Sequence, residues 1–198
     1  MARTAVGNIS GEATDRLGNN WFEATRHALI ERLPPLAARS ASSLLEHLRL
    51  LEERIREYER EIENHARTDE LAQRAQLRTG IGPITASAIV TTMGDPAAFK
   101  NGRQFAAWLG LVPRQFSTGG KPRLGRITKR GDTYLRRLLV MGARSVLLHA
   151  PNRKDPLSRW ALALRERRGY HRACIAIAAK NARVVWALLA RPALPVAE

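Results

Sequence analysis

Thr79-Gly-Ile-Gly-Pro-Ile-Thr-Ala-Ser-Ala-Ile-Val90 decides how the rest of the chain is read. Gly80 and Gly82 stand one residue apart. Pro83 follows at a position that suits the first turn of a helix, where its missing N–H costs nothing, and Ala86 and Ile89 are spaced along that helix. The pattern predicts a tight turn between two helices, of the helix-hairpin-helix kind. Such a turn lets backbone at Gly80, Ile81 and Gly82 approach a phosphate, with the free N–H groups and positive dipole end of the next helix facing the anion. A plain interhelical turn is the competing reading, because Gly-x-Gly alone is weak evidence. Contact of this kind touches phosphate and is blind to base sequence.

On the N-terminal side, Leu44, Leu48, Leu51, Ile55, Tyr58, Ile62 and His65 recur at alternating spacings of four and three. This is a heptad seam, and Glu52, Glu53, Arg54, Arg56, Glu57, Glu59, Arg60, Glu61 and Glu63 cover its exterior. Either a long helix packs on its own domain or two copies form a coiled coil. The regularity of the seam favours the second. Trp21 to Leu33 suggests a short helix stopped by Pro34-Pro35, and residues 1–20, rich in Gly, Asn, Ser and Thr, read as a disordered leader. A short helical piece from Glu70 to Leu77 leads into the turn.

On the C-terminal side, Asn101 caps a helix carrying Phe105, Ala106, Trp108 and Leu109, closed by Gly110. The texture then changes. From Pro113 to Gly131 the glycines, two prolines and the cations Arg114, Lys121, Arg123, Arg126, Lys129 and Arg130 predict a long ordered loop or irregular hairpin suited to cradling phosphate. Asp132 caps a helix from Thr133 to His149 in which Leu135, Leu138, Leu139, Gly142, Val146 and Leu147 form the buried stripe. Arg136, Arg137 and Arg144 lie off it, and Gly142 permits close approach by another element. Helices over about 157–167 and 173–190 follow, and no alternating strand pattern of useful length is visible. The expected class is all-α. Its parts are a leader (1–20), a helical coiled-coil region (21–69), a domain (70–192) with the paired glycines and the basic loop, and a tail (193–198).

Charge sharpens this division. The 198 residues carry 33 Lys+Arg against 18 Asp+Glu, a net charge of +15. Up to Leu77 there are 11 basic and 13 acidic residues, a net −2, leaving 22 against 5, a net +17, for the remainder. A polyanionic partner follows. Arginine supplies 28 of the 33 cations, and its planar fork pairs phosphate oxygens bidentately, which favours nucleic acid over a membrane surface. The longest uncharged stretch, Thr79 to Gly94, is too short and too broken by Gly and Pro to span a bilayer, and the N-terminus lacks a signal-peptide core. The lone Cys174 excludes an internal disulfide framework and fits a reducing cytoplasm.

The chemistry available is narrow. Phosphodiester-cutting enzymes commonly hold Mg²⁺ on clustered carboxylates, but the basic part offers only Asp95, Asp132, Asp155, Glu166 and Glu198, widely separated. His27, His47, His65, His149 and His171 lack metal-ligand spacing, and Cys174 sits among apolar residues, so no metal site is expected on this chain. Hydroxyl chemistry remains. Ser117, at the tip of the basic loop before Thr118-Gly119-Gly120-Lys121, could serve as a nucleophile where glycines admit a substrate backbone, although a serine there is also an ordinary turn residue.

Four segments in order, Thr79 to Ala86, Phe99 to Arg114, Ser117 to Lys121 and Ile127 to Leu139, resemble the C-terminal domain of transposases of the insertion-sequence family numbered one-ten, subgroup eleven-eleven. The resemblance runs from about Trp21 to Pro192. It implies a recombinase in two parts: a RuvC-like domain whose four acidic residues bind Mg²⁺, and a C-terminal domain whose serine attacks DNA to give a phosphoserine link. It further implies a coiled coil joining protomers and an element-encoded non-coding RNA that guides pairing of donor and target DNA. Carried onto this chain, the nucleophile falls at Ser117, or at Thr118 if the alignment slips by one. By their charge and proximity alone, Arg114, Lys121, Arg123, Arg126, Lys129, Arg130, Arg136 and Arg137 are then expected as nucleic-acid contacts. The Mg²⁺-binding carboxylates have no counterpart here, so the chain is expected to be inactive alone, as a truncated or decayed copy, or to act as a binding and dimerisation module.

Overall fold

The computed structural model describes residues 30, 32–116 and 124–190. Among them are seven α-helices and one two-stranded sheet. The chain is all-α in class, as its sequence leads one to expect. The helices are α1 (Pro35–Thr68), α2 (Glu70–Gln76), α3 (Pro83–Met93), α4 (Gly102–Trp108), α5 (Thr133–His149), α6 (Pro156–Arg168) and α7 (Tyr170–Ala190), with strands β1 (Pro113–Gln115) and β2 (Leu124–Ile127) between α4 and α5.

Helix starts are set by side-chain acceptors that satisfy orphan N–H groups. Asn101 accepts from Arg103 and Gln104, both at 3.0 Å, while Gln104 reaches back to the Lys100 N–H at 2.6 Å. Asp69 caps α2 through the Ala72 N–H at 2.7 Å, Asp132 caps α5 through Leu135 at 2.6 Å, and Asp155 caps α6 through Ser158 at 3.0 Å. Pro83 occupies the first turn of α3 after Gly82, and Pro156 that of α6.

Two compact units divide at Glu57 and Tyr58, within α1. In the first, the 34-residue helix starts at Pro35, well before the first seam leucine, because proline fits an N-terminal turn; Pro34-Pro35 marks a helix start as much as a stop. At 1.5 Å per residue α1 is about 51 Å long. Its seam is bare: exposure runs from 47% at Leu51 to 66% at Leu44, and Leu48, Ile55 and Tyr58 fall between. Outside the seam, Arg56 pairs with Glu52 at 3.6 Å and Arg54 with Glu57 at 3.9 Å, exposed pairs of small energetic weight. Most of the segment expected to be helical over Trp21 to Leu33 lies outside the described residues, as do residues 1–20 and 193–198.

The second unit is built on α7, which packs against α2, α4, α5 and α6. Phe105, Ile89, Leu109, Leu135, Leu139, Leu147, Ile177 and Val185 are fully buried, each contributing roughly 1.5–3 kcal/mol by leaving water. Ala173, Ala178 and Ala182 keep α7 slim enough for four neighbours. By length and mean hydropathy, 1.5 over its best window, α7 could cross a bilayer, yet its apolar face is the core of this unit. It begins at Tyr170, earlier than periodicity suggests. The buried stripe of α5 is Leu135, Leu139, Ala143, Val146 and Leu147; Leu138 and Gly142, expected within it, are only half-buried. The last seam residues of α1 serve this unit: His65 Nδ1 lies 3.1 Å from Ser87 Oγ, and that hydroxyl is 3.4 Å from the Ile62 carbonyl.

Candidate nucleic-acid interface

The paired-glycine turn between α2 and α3 is clamped into the core. Gly80, at φ 89°, lies against α5, where an added Cβ would come within 2.6 Å of Val146 Cγ2 and 3.0 Å of the Gly142 carbonyl oxygen. Seen from the other side, a Cβ on Gly142 would sit 1.9 Å from the Gly80 carbonyl oxygen. Ile81 is buried, 6% exposed. Asn181, fully buried on α7, donates to the Thr79 carbonyl at 3.0 Å and accepts from Arg78 Nε at 2.7 Å. Arg74 Nη2 donates to the Leu188 carbonyl. This adds a packing reason for the glycines: the side of Gly80 where a Cβ would stand and the Ile81 side chain are both turned into the core. Gly82 alone has open space where a Cβ would stand.

Burial pushes the Arg78 guanidinium below its ordinary value, with Asp155 acting in the opposite sense. Its Nη2 is buried without a hydrogen-bond partner among the described residues. Burial likewise raises the Cys174 thiol, which makes a thiolate nucleophile at that position unfavourable.

The basic loop is an antiparallel hairpin. Pro113 pairs with Ile127 and Gln115 with Leu124, with an irregularity between the two. Such short strands escape period-two pattern reading. The Thr128 N–H donates to the Val112 carbonyl at 2.9 Å, and the Lys129 N–H to that of Gly110 at 3.1 Å. Lys129 holds φ 55°, unusual for a side-chain-bearing residue. Beneath this, the backbones of 108–110 and 129–131 nearly touch: a Cβ on Gly110 would meet the Arg130 carbonyl oxygen at 2.2 Å, and one on Gly131 that of Trp108 at 1.7 Å. Arg136 Nη1 donates to the Leu109 carbonyl at 3.1 Å and Nη2 to Thr133 Oγ1 at 3.1 Å. The α4 terminus, the hairpin root and the α5 start are one fixed joint.

This joint carries exposed cations: Arg114 on β1, Arg126 on β2, Lys129 and Arg130 after it, and Arg137 on α5. Arg114 Nη2 makes a long contact of 3.4 Å to the Thr128 carbonyl. Arg136, expected as a nucleic-acid contact, is half-buried and spends both its fork nitrogens on the joint. Ser117, Thr118, Lys121 and Arg123 lie outside the described residues, within the segment 117–123 that links β1 to β2. The turn meets α5 at Gly142 and the hairpin joint meets it at Arg136, six residues apart, about 9 Å along the helix. Among the described residues no group of three His, Cys, Asp or Glu side chains could hold a metal ion.

Asn181 and the Gly110/Gly131 crossing escaped sequence reasoning. An asparagine amid the alanines and valines of α7 was the available sign of the first, since a polar group there needs partners.

The family model described as Transposase IS116/IS110/IS902 family matches residues 72–158, covering α3 to α5 and the hairpin between. A probable family 20 transposase of Pseudomonas aeruginosa is 47% identical over 96% of this chain and 60% of its own length. The transposase for insertion sequence element IS1111A of Coxiella burnetii is 45% identical over 80% of this chain and 44% of that protein. The transposase for insertion sequence element IS1328 of Yersinia enterocolitica is 44% identical over 78% and 46%. The chain spans 44–60% of the length of these curated relatives. With the motifs falling in order on the turn, the α4 helix and the hairpin joint, residues 72–158 match the IS116/IS110/IS902 family of transposases, and 78–96% of the chain is similar to transposases of insertion elements or of family 20.

Proposed function

We propose that the chain is the serine-bearing part of a DNA recombinase, binding DNA and an element-encoded guide RNA through the hairpin joint and presenting Ser117 as nucleophile. The observation that supports this best is the joint itself. The hairpin strands that flank segment 117–123 are rooted on α4 and α5 by the backbone contacts of Gly110 and Gly131 and by Arg136, amid the exposed Arg114, Arg126, Lys129 and Arg130. Fixed cations around a reacting phosphate stabilise the charge that grows as the attacking oxygen adds. In the proposed step Ser117 Oγ forms a bond to phosphorus as the bond from phosphorus to a sugar oxygen breaks. The Oγ proton departs to a base, and the leaving oxygen ends as a hydroxyl. The phosphoserine ester keeps the phosphodiester's energy for rejoining. Mg²⁺ would be held by the acidic residues of a RuvC-like domain; the described residues of this chain form no site for it.

The test supplements purified chain with full-length transposase, guide RNA and DNA, and follows strand exchange. Ser117→Ala in the chain should abolish its contribution and any covalent DNA adduct, whereas an unchanged yield removes the catalytic assignment. If Thr118→Ala alone removes the adduct, the role moves one residue along.

A second reading has its own observation. The bare seam of Leu44, Leu48, Leu51 and Ile55 supports a homo-oligomer joined through α1, which would make the chain a binding and dimerisation module. Leu48→Asp with Ile55→Asp should then give a monomer by sedimentation where the unchanged chain is a dimer. Formation of a covalent adduct by the chain alone would end the binding-only version.

A further inference from the structure

We propose that the α6–α7 elbow, residues 165–172, is a second contact for nucleic acid, binding the phosphate backbone of duplex DNA separately from the hairpin. Arg165-Glu-Arg-Arg-Gly-Tyr-His-Arg172 holds four arginines and one glutamate, a net +3. All eight residues are exposed. The elbow lies beyond residues 72–158, so the family match does not account for it.

The four guanidinium groups differ from those arginines that the fold itself engages. Arg54 and Arg56 pair with glutamates, while Arg74, Arg78 and Arg136 are spent on carbonyl or side-chain oxygens of the fold. Among the described residues no hydrogen bond or ion pair engages the guanidinium group of Arg165, Arg167, Arg168 or Arg172, and Glu166 pairs with none of them. Arg165, Arg167 and Arg168 occupy the last turn of α6, where cations offset the negative dipole end. That explanation fails for Arg172. It lies in the first turn of α7, which contains no acidic residue and whose dipole end is positive. Gly169 offers no side chain to cap that turn. An anion at the elbow would reverse both penalties at once, meeting the guanidinium groups and the uncapped N–H groups together.

The geometry points to a duplex. The backbone stays hydrogen-bonded through the elbow, from the Gly169 N–H to the Arg165 carbonyl at 2.8 Å and from the Ala173 N–H to the Gly169 carbonyl at 3.1 Å. Two helices packed on each other therefore hold the arginines at set spacing, which suits a stiff phosphate ladder. Recognition of unpaired strands relies instead on free aromatic faces. Here the Tyr170 and His171 rings are set edge to face, 5.5 Å apart at 82°, so the pair already covers one of its faces.

This assignment rests on the nucleic-acid reading of the chain, and its test keeps the two separable. The full chain is titrated with a short DNA duplex over a range of KCl, and the slope of log affinity against log salt is read. Arg165→Gln/Arg168→Gln/Arg172→Gln should lower the slope by about 2 to 3, at about 0.9 per lost phosphate contact. The Lys versions of the same three substitutions should keep it. Arg126→Gln/Lys129→Gln/Arg130→Gln reports on the hairpin in parallel. Loss of slope there, with an unchanged slope in the elbow variant, overturns the elbow alone; the reverse supports the elbow and overturns the hairpin. No duplex binding by the unchanged chain overturns both. Arg54→Gln/Arg56→Gln/Arg60→Gln removes equal charge elsewhere, and an equal loss of slope with it overturns the elbow as a site. A loss confined to an RNA hairpin probe overturns the duplex assignment. Circular dichroism should show an unaltered melt for the exposed elbow variants, and a collapsed melt in both the Gln and Lys sets would overturn the view that these side chains are free of the fold.

Discussion

The two backbone crossings differ in an instructive way. At the first, Gly80 meets Gly142 and part of a conspicuous glycine motif is packed into the fold, with Ile81 in the core and Asn181 fastening the turn from behind. At the second, Gly110 meets the Arg130 backbone and Gly131 that of Trp108, and glycines that look like mere helix-stop and loop texture fix the root of a cationic hairpin. A motif that resembles a binding loop can thus be architecture, and loop punctuation can be what holds a binding surface rigid. Local sequence shows only that the backbone can approach something closely. Whether that something is a ligand or another strand of the same chain depends on the fold.

The sharpest break of this comparison is substitution at the crossings. Gly142→Ala and Gly131→Ala would each place a Cβ within 2 Å of a carbonyl oxygen, and both should cost roughly 3 kcal/mol or more in denaturant unfolding. Gly82→Ala should stay within about 0.5 kcal/mol, because open space surrounds it. A large loss at Gly82, or none at Gly142, would reverse the assignment of roles within the turn. Next in size, Asn181→Leu should destabilise by about 2 kcal/mol by leaving the Thr79 carbonyl and the Arg78 Nε unpaired, without altering DNA salt dependence.

At the hairpin the neighbouring arginines should separate. Arg136→Gln should lower stability by about 1 kcal/mol through the lost Leu109 contact, whereas Arg137→Gln should leave the melt unchanged and lower the DNA salt slope by about 0.9. Asp132→Ala should cost about 1 kcal/mol by uncapping α5. The smallest effect is pH-dependent. Hydrogen bonds from the Ser158 hydroxyl and N–H hold Asp155 below its ordinary value. Its stabilising contribution is therefore complete above the ordinary carboxylate range and fades as pH falls through the lowered native value. Asp155→Asn should flatten that part of the acid limb in unfolding measured against pH, and an identical limb in the variant would contradict it.

Much of the local structure is legible in the chain. Asn101, Asp132 and Pro83 announce helix starts because a cap or an N-terminal proline acts within four residues. The seam of α1 is equally plain, since heptad spacing repeats along one element. Arg136 and Arg137 show where legibility stops. They are adjacent and chemically identical, yet one braces the end of α4 and the other faces solvent, because a 100° rotation about the helix points them at different neighbours.

The sequence by itself determined the all-α class, the division of charge between an acidic-tinged helix and a basic remainder, the caps and the family motifs. All of these depend on composition or on residues within a few positions of one another. Only the tertiary structure decided that Gly80 faces Gly142, that Gly131 lies under Trp108 and that Asn181 closes the turn. Those contacts join residues far apart in the chain, and backbone can come that close only where at least one partner lacks a side chain or supplies the one hydrogen bond that a buried carbonyl requires.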